Sequence, residues 1–246
     1  MKSILAIVKL SELPEFWYKD FPFDALSVKP AVAAKARLML PAGKDLHIWE
    51  WFPCKTPAGG RVWGQKMAEA CARHGATRFY INAEAEWSGV EKFERTTDPY
   101  NTLLAAMEGF YLFAPDGCQL FYNGFSWGRT SDGRLLHDAD LMRAFHGWSP
   151  MCYGTSPPTV TGHILNKTNK YVKGAPATIR CPMVGVGRVD DKGRRWGHWT
   201  STLAALKQVR ADEVAFFFGN GAKSRYFTDE DHHPALVNCV KDLADV

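Results

Sequence analysis

The sequence lacks the motifs by which nucleotide-binding sheets and zinc sites are usually found. No strand-like run leads into G-x-G-x-x-G, and G-x-x-x-x-G-K-[ST] is absent, which argues against a dinucleotide or nucleotide fold. The six cysteines form no C-x-x-C pair and are widely spaced, so we expect reduced thiols and no zinc site. The sequence therefore predicts neither a cofactor nor a bound metal.

Long apolar runs and blocks of basic residues are also missing. No stretch approaches the roughly 20 apolar residues of a membrane span, and a net charge of +4 without a Lys/Arg tail is no nucleic-acid signature. The first apolar run, Ile4–Val8, is closed by Lys9 and is too short for a secretory signal. We therefore expect the protein to be made in the cytoplasm. Any release from the cell, or association with a virion, would follow a route other than a cleaved signal.

Aromatic side chains are what the sequence has in quantity. Nine Trp, eight Tyr and fifteen Phe make up 13% of the 246 residues. Trp and Tyr fill cores, but they also stack on flat faces such as sugar rings. The length and the ordinary globular composition suit one large α/β domain over residues 1–246, and the oligomeric state is left open.

Strand-length apolar runs recur along the chain at intervals of about 30–40 residues. They are Ile4–Val8, Leu46–Phe52, Arg78–Ala85, Gln119–Phe125, Pro150–Gly154, Cys181–Val186 and Val214–Phe218. Helix-like stretches lie between several of them and at the end of the chain: Val62–His74, Asp98–Phe113, Thr200–Val209 with Thr200 or Ser201 as its cap, and a last helix from near His233.

Alternation of strands and helices indicates parallel βαβ units. At this length it predicts an α/β fold of the (β/α)8 TIM-barrel type, which could be irregular or incomplete because only seven strands are visible. An eighth strand could lie around Ala33–Leu40, although that segment favours a helix. An open, doubly wound sheet is the alternative.

The most informative segment runs from Arg78 to Gly89. Side chains alternate along a strand, and the outer face of a barrel strand packs on helices. The apolar set therefore belongs outside: Phe79, Ile81, Ala83 and Ala85. The polar set then faces the barrel axis: Tyr80, Asn82, Glu84 and Glu86. Active sites of such barrels lie at the carboxyl ends of the strands, which predicts a site around Glu84 and Glu86.

Two neighbouring carboxyl groups suit acid/base chemistry, because each shifts the pKa of the other. In glycosidic bond cleavage one acid protonates the leaving oxygen, and the other is the base or nucleophile. We predict Glu84 as the proton donor and Glu86 or Glu50 as the second carboxylate. Whether Glu50 or its neighbours Trp49 and Trp51 face inward cannot be decided from the alternation.

Other residues at or beyond predicted strand ends are candidates for substrate binding. Asn82, Tyr122, Asn123 and Tyr153 would orient a sugar. Trp87, Trp127 and Trp199, together with Trp196, follow strand ends and would form a ring of stacking surfaces. Aromatic residues on strands belong to the core more often than to a site.

The segment Tyr80-Ile-Asn-Ala-Glu-Ala-Glu-Trp87 resembles the acid-bearing strand of lysozyme-type glycoside hydrolase barrels, such as the family 25 muramidases. That resemblance implies a polysaccharide substrate, with peptidoglycan of the cell wall as the candidate. The family's Asp two residues before the catalytic Glu is Asn82 here, and its first-strand Asp has no counterpart in Ala6-Ile-Val-Lys9.

Three hypotheses follow. The leading one is a glycosidase-like barrel that hydrolyses a polysaccharide by carboxylate acid/base catalysis. The departures at Asn82 and in the first strand favour a second, in which the barrel binds glycan without turnover or serves as a virion or cell-surface component. The third is a metal-dependent isomerase or hydrolase, since barrel metal sites collect ligands from several strands.

Overall fold

A computed structural model describes residues 1–7, 10, 21–83, 98–124, 143–154, 156–168, 178–185, 198–218 and 233–246. Its strands are all parallel and form one sheet. They are β1 Lys2–Ile7, β2 Ala25–Val28, β3 Asp45–Trp51, β4 Arg78–Ala83, β5 Gln119–Gly124, β6 Gly147–Pro150, β7 Ile179–Arg180, β8 Met183–Val184 and β9 Glu213–Phe218.

The sheet closes on itself through β7 and β8, which are two pieces of one interrupted strand. In the sheet order β7 is paired with β6 at one end, and β8 is paired with β9 at the other. The ladders continue between the pieces, where Cys181 N donates to Trp148 O at 2.9 Å and Ala215 N donates to Pro182 O at 3.1 Å. Pro182 has no N–H to donate, which accounts for the break. The predicted irregular (β/α)8-type barrel is confirmed.

Helices surround this ring. They are α1 Pro30–Met39, α2 Pro57–His74, α3 Pro99–Phe113, α4 Pro157–His163 continued by a π-helical turn Ile164–Thr168, α5 Trp199–Val209 and α6 His233–Asp242 followed by a 3₁₀ turn Leu243–Asp245. The predicted carboxyl end of α2 and the predicted ends of α3 are confirmed, whereas α2 begins at Pro57, five residues before the predicted Val62. Asp98 caps α3 by accepting from Asn101 N at 3.2 Å, and Gly75 ends α2 with φ 62°. No described helix is long and apolar enough to cross a membrane.

Three sequence predictions need correction. The eighth strand is Ala25–Val28, directly before α1, and the segment around Ala33–Leu40 is helical. Strand β6 ends at Pro150, where the prediction had it begin, although Met151 still forms a bridge to Met183. Neither Thr200 nor Ser201 caps α5, because the helix begins one residue earlier and His198 takes the cap position without a side-chain bond.

Two apolar layers follow from the alternation of side chains along the strands. The outer layer packs between strands and helices and includes Leu5, Ile48, Phe79, Ile81 and Phe216. The inner layer fills the barrel with Ile4, Ala6, Ala25, Trp49, Tyr80, Phe121, Met151, Cys181, Met183 and Ala215. The barrel interior is therefore a packed core below its carboxyl end, as expected for the fold.

The amino end of the barrel interior is closed by a buried ion pair. The Arg78 guanidinium pairs with the Glu213 carboxylate and donates to Gln119 Oε1 at 2.8 Å and to the Tyr80 hydroxyl at 3.2 Å. Burial lowers the pKa of neighbouring His47 well below its usual value, and the positive charge of Arg78 lowers it further. This network seals the end of the barrel opposite the predicted site.

Helices α2 and α3 approach each other at glycines. A Cβ at Gly64 would lie 2.0 Å from the Ala106 carbonyl oxygen, and one at Gly109 would lie 2.1 Å from Arg61 O. No side chain fits at such distances from a backbone atom. The two helices therefore depend on glycine for their contact.

Replacing Gly64 by alanine should destabilise the protein by about 1–3 kcal/mol, because the overpacking cost exceeds the gain of up to about 1 kcal/mol in helix propensity. Urea unfolding measures the change. Gly162→Ala is the matched control: the nearest atom to its Cβ would be Asn166 Nδ2 at 3.9 Å, so this variant should be neutral or more stable. Equal stability of the two variants would contradict the close approach.

Candidate functional site

Strand β4 alternates as the sequence predicts over residues 79–83. Phe79, Ile81 and Ala83 belong to the outer layer, whereas Tyr80 belongs to the inner one. Asn82 shares the face of Tyr80 and is buried. Glu84 and Glu86 follow β4 in the sequence but lie outside the described residues, as do Trp87 and Trp127, so their roles stay predictions.

A polar row crosses the inner wall at the carboxyl end of the strands. Trp51 pairs in register with Asn82, Asn82 with Asn123, and Asn123 with Ser149. Two residues closer to the amino end of each strand, the next inward-facing row is Trp49, Tyr80, Phe121 and Gly147. The Asn123 amide donates to Met183 Sδ at 3.5 Å, while its oxygen is buried and accepts no hydrogen bond from the described residues. The interior wall thus becomes polar toward the predicted site.

The orientation of β3 is settled by the inner layer. Trp49 faces the interior, and its indole N–H donates to Ile7 O at 3.0 Å. Trp51 lies on the same face, with its ring edge-on to Trp49 at 5.4 Å between centroids. Glu50 consequently points away from the interior wall, and its side chain pairs with Lys29 at the end of β2.

Lys29 joins this carboxylate to both Trp rings. Its ammonium lies 3.4 Å from the centroid of the Trp51 ring and 4.4 Å from that of Trp49. The oxygen of Glu50 that contacts Lys29, Oε1, also accepts from the backbone N–H of Trp51 at 2.8 Å. Cation–π contacts and a shared carboxylate therefore fix both indoles at the rim.

Two further aromatic rings lie next to the Trp49 and Trp51 rings around the barrel. Phe217 lies edge-on to Trp49 at 6.1 Å, and Tyr153 stacks on Phe217 at 5.7 Å. The Tyr153 hydroxyl donates to Met183 Sδ at 3.0 Å. We refer to Trp49, Trp51, Tyr153 and Phe217 as the aromatic band. Phe217 and Lys29 were missed in the sequence analysis, although alternation along Val214–Phe218 could have placed Phe217 inward.

Two predicted binding residues lie elsewhere. Tyr122 points outward, stacked on Trp148 at 5.0 Å, and burial raises the pKa of its hydroxyl. Side chains alternate along a strand, so Tyr122 must point outward because Phe121 faces the interior. Trp199 begins α5, packs on Phe216 in the outer layer and donates to Asp242 Oδ2 at 2.8 Å. The structure therefore places both side chains away from the polar row, and Asn123 and Tyr153 on the interior side.

Metal ligation finds no support within the described ranges, where no three His, Cys, Asp or Glu side chains converge as an ion would require. The hydrogen-bonding groups of the described site are instead amides, hydroxyls and the Lys29–Glu50 pair. These groups lie next to the aromatic band at the carboxyl ends of the strands.

The sequence matches no protein-family model and no curated protein. Solved structures do resemble the fold. A chitinase from Rhizomucor miehei superposes with a TM-score of 0.67 at 9% identity, covering 99% of this chain and 100% of the chitinase. An endo-β-N-acetylglucosaminidase from Cordyceps militaris gives 0.61 at 10% identity, with 98% and 90% coverage. A D-psicose 3-epimerase from Clostridium cellulolyticum gives 0.59 at 10% identity, with 100% and 98% coverage.

At these identities the likeness shows the barrel fold alone. The three proteins differ in activity, as is usual for this fold, so function has to be argued from the site. Two of them are glycoside hydrolases by name, and none of the three is a family 25 muramidase. The resemblance of residues 80–87 to that family stays a prediction.

Proposed function

We propose that this protein is a glycoside hydrolase whose substrate is a polysaccharide containing N-acetylglucosamine. The observation that carries the proposal is the change in the inner wall from apolar to polar at the carboxyl ends of β4 and β5. Asn82 and Asn123 lie side by side there, next to the aromatic band. Glu84 follows the last residue of β4 directly in the sequence.

In the proposed mechanism Glu84 protonates the leaving glycosidic oxygen, and Glu86 is the second carboxylate. Asn82, Asn123 and Tyr153 orient the sugar through hydrogen bonds. Glu50 is assigned to binding instead of catalysis, because one of its oxygens is already shared between Lys29 and the backbone of Trp51. The second carboxylate has to be directed at the sugar as base or nucleophile, whereas Glu50 points away from the interior wall toward Lys29.

Two independent lines support the substrate class. The resemblance of residues 80–87 to family 25 muramidases favours peptidoglycan. The names of two structural neighbours, a chitinase and an endo-β-N-acetylglucosaminidase, refer to chitin and to N-acetylglucosamine. Because N-acetylglucosamine occurs in both chitin and peptidoglycan, we propose it as the recognised unit, with peptidoglycan as the first polymer to test.

A glycan-binding barrel without turnover is the second candidate. The observation that favours it is Asn82, an amide at the position where the muramidases carry an acid. An amide can hold a sugar hydroxyl but cannot exchange a proton with it at neutral pH. In this reading the barrel would be a virion or cell-surface component.

One experiment separates the two candidates. The purified full-length protein is incubated with bacterial peptidoglycan and with colloidal chitin, and turbidity loss, reducing ends and the bound protein fraction are measured together. Hydrolysis of either polymer supports the enzyme. Binding without new reducing ends selects the non-catalytic barrel, and failure both to bind and to hydrolyse rejects both candidates.

A further inference from the structure

Trp51 is partly exposed at the rim of the barrel. Its exposed fraction is 44%, whereas Trp49 beside it is buried. The other described aromatic residues with large exposure, Tyr111 and Phe113, lie on α3 on the outside of the barrel. Trp51 is therefore an exposed ring within the aromatic band, and contacts with its neighbours determine where it lies.

Contacts on two sides hold this ring in place. The Lys29 ammonium covers one face at 3.4 Å from the centroid, and Trp49 meets it edge-on at 86° between ring planes. A ring fixed in this way loses little conformational entropy when a ligand packs against its exposed part, which favours binding.

Glu50 supplies a hydrogen-bond acceptor beside the ring. Both of its described hydrogen bonds, from Lys29 and from Trp51 N, go to Oε1. Its second oxygen, Oε2, accepts no hydrogen bond from the described residues. The carboxylate side chain is 26% exposed and the Lys29 side chain 13%, so a ligand approaching the rim meets the acceptor more readily than the cation.

We infer that Trp51 and Glu50 form a sugar subsite for a neutral pyranose, an inference that rests on the proposed function. The apolar face of the pyranose packs on the exposed part of the Trp51 indole, and one of its hydroxyls donates to Glu50 Oε2. A sugar bearing its own carboxylate is disfavoured, because the exposed oxygen of Glu50 repels it. Lys29 acts as a positioning residue for both groups.

The subsite is tested by calorimetric titration of full-length protein carrying Glu84→Gln, so that hydrolysis does not consume the ligand. The probes are chitohexaose, cellohexaose and hexagalacturonic acid. The parent should bind a neutral hexaose and not the acidic one. Trp51→Ala should weaken that binding about 10- to 30-fold, as for a central aromatic contact, whereas Trp51→Phe should retain most of it.

The Glu50→Gln variant tests a role in binding, because a purely structural role of Glu50 would not change the preference for neutral over acidic sugars. It removes the repelling charge but keeps an acceptor, so affinity for hexagalacturonic acid should rise relative to that for the neutral hexaoses. Phe113 is an exposed aromatic residue on α3, and Phe113→Ala is the matched control. It should change neither the affinity for the neutral hexaoses nor that for hexagalacturonic acid. Circular dichroism verifies the fold of each variant, and if Trp51→Ala fails to fold, Trp51→Phe and Glu50→Gln decide.

Unchanged affinity in folded Trp51→Ala, or equal binding of acidic and neutral hexaoses by the parent, would overturn the subsite. In either case the proposed hydrolysis of a polysaccharide by the unmodified protein would not be contradicted. If the parent binds no hexaose, the subsite is also rejected, and polymer hydrolysis then reports separately on the proposed function.

Discussion

Replacing Glu84 by glutamine should lower polysaccharide turnover by about 10²- to 10⁴-fold, the range that general acid catalysis contributes. Glutamine has nearly the shape of glutamic acid and keeps a hydrogen-bonding group, but it cannot deliver a proton to the leaving oxygen. Binding of the polysaccharide should therefore persist while reducing-end release falls. The ratio of the two measurements separates a catalytic loss from a loss of binding.

Glu69→Gln is the matched control for this prediction. Glu69 is exposed on α2 and accepts from Gln65 Nε2 at 2.8 Å, away from the carboxyl ends of the strands. Its replacement should leave turnover unchanged. If Glu84→Gln hydrolyses the polysaccharide as fast as this control does, Glu84 is not the proton donor and Glu86 becomes the candidate.

Replacing Arg78 by methionine should destabilise the fold by about 3–5 kcal/mol, the cost of leaving one partner of a buried ion pair without the other. The side chains of Arg78 and Glu213 are each 7% exposed. Methionine fills much of the space of the arginine stem, so the loss reports mainly on the unpaired carboxylate and on the hydrogen bonds to Gln119 and Tyr80. Urea unfolding gives the change.

Two further variants test the origin of that loss. Arg78→Met with Glu213→Leu removes both charges and should recover a large part of the stability. Arg61→Met breaks the exposed pair with Glu108, whose side chains are 56% and 47% exposed, and should cost no more than about 1 kcal/mol. A loss in Arg78→Met as small as that in Arg61→Met would contradict a sealed amino end.

The sequence predicted the barrel because its strands carry strong alternating or apolar patterns. It did so less well where a strand is short or broken. Ala25-Leu-Ser-Val28 has four residues, one of them an inward serine, and gives little periodic signal. The closing strand is split at Pro182, so that β7 and β8 have two residues each. Only their pairing with different neighbours identifies them as one closing element.

The orientation of the candidate site residues was predictable where alternation was applied and not where it was left aside. Tyr122 and Asn123 are adjacent in one strand and cannot both face the interior, so alternation alone places one of the two side chains outside. Alternation alone could not orient β3, because Glu50 and the Trp residues each had a plausible inward role. The deciding contacts are those of Trp49 in the inner layer, among them its hydrogen bond to Ile7 O, 42 residues away in sequence. No local pattern reveals such a contact.

The most direct test of the account is a crystal structure of the Glu84→Gln variant with chitohexaose. We predict that the sugar chain lies across the carboxyl ends of the strands, with one ring on the exposed indole of Trp51 and a glycosidic oxygen within hydrogen-bonding distance of residue 84. A chain bound on the outer helices, or at the amino end near Arg78, would contradict it.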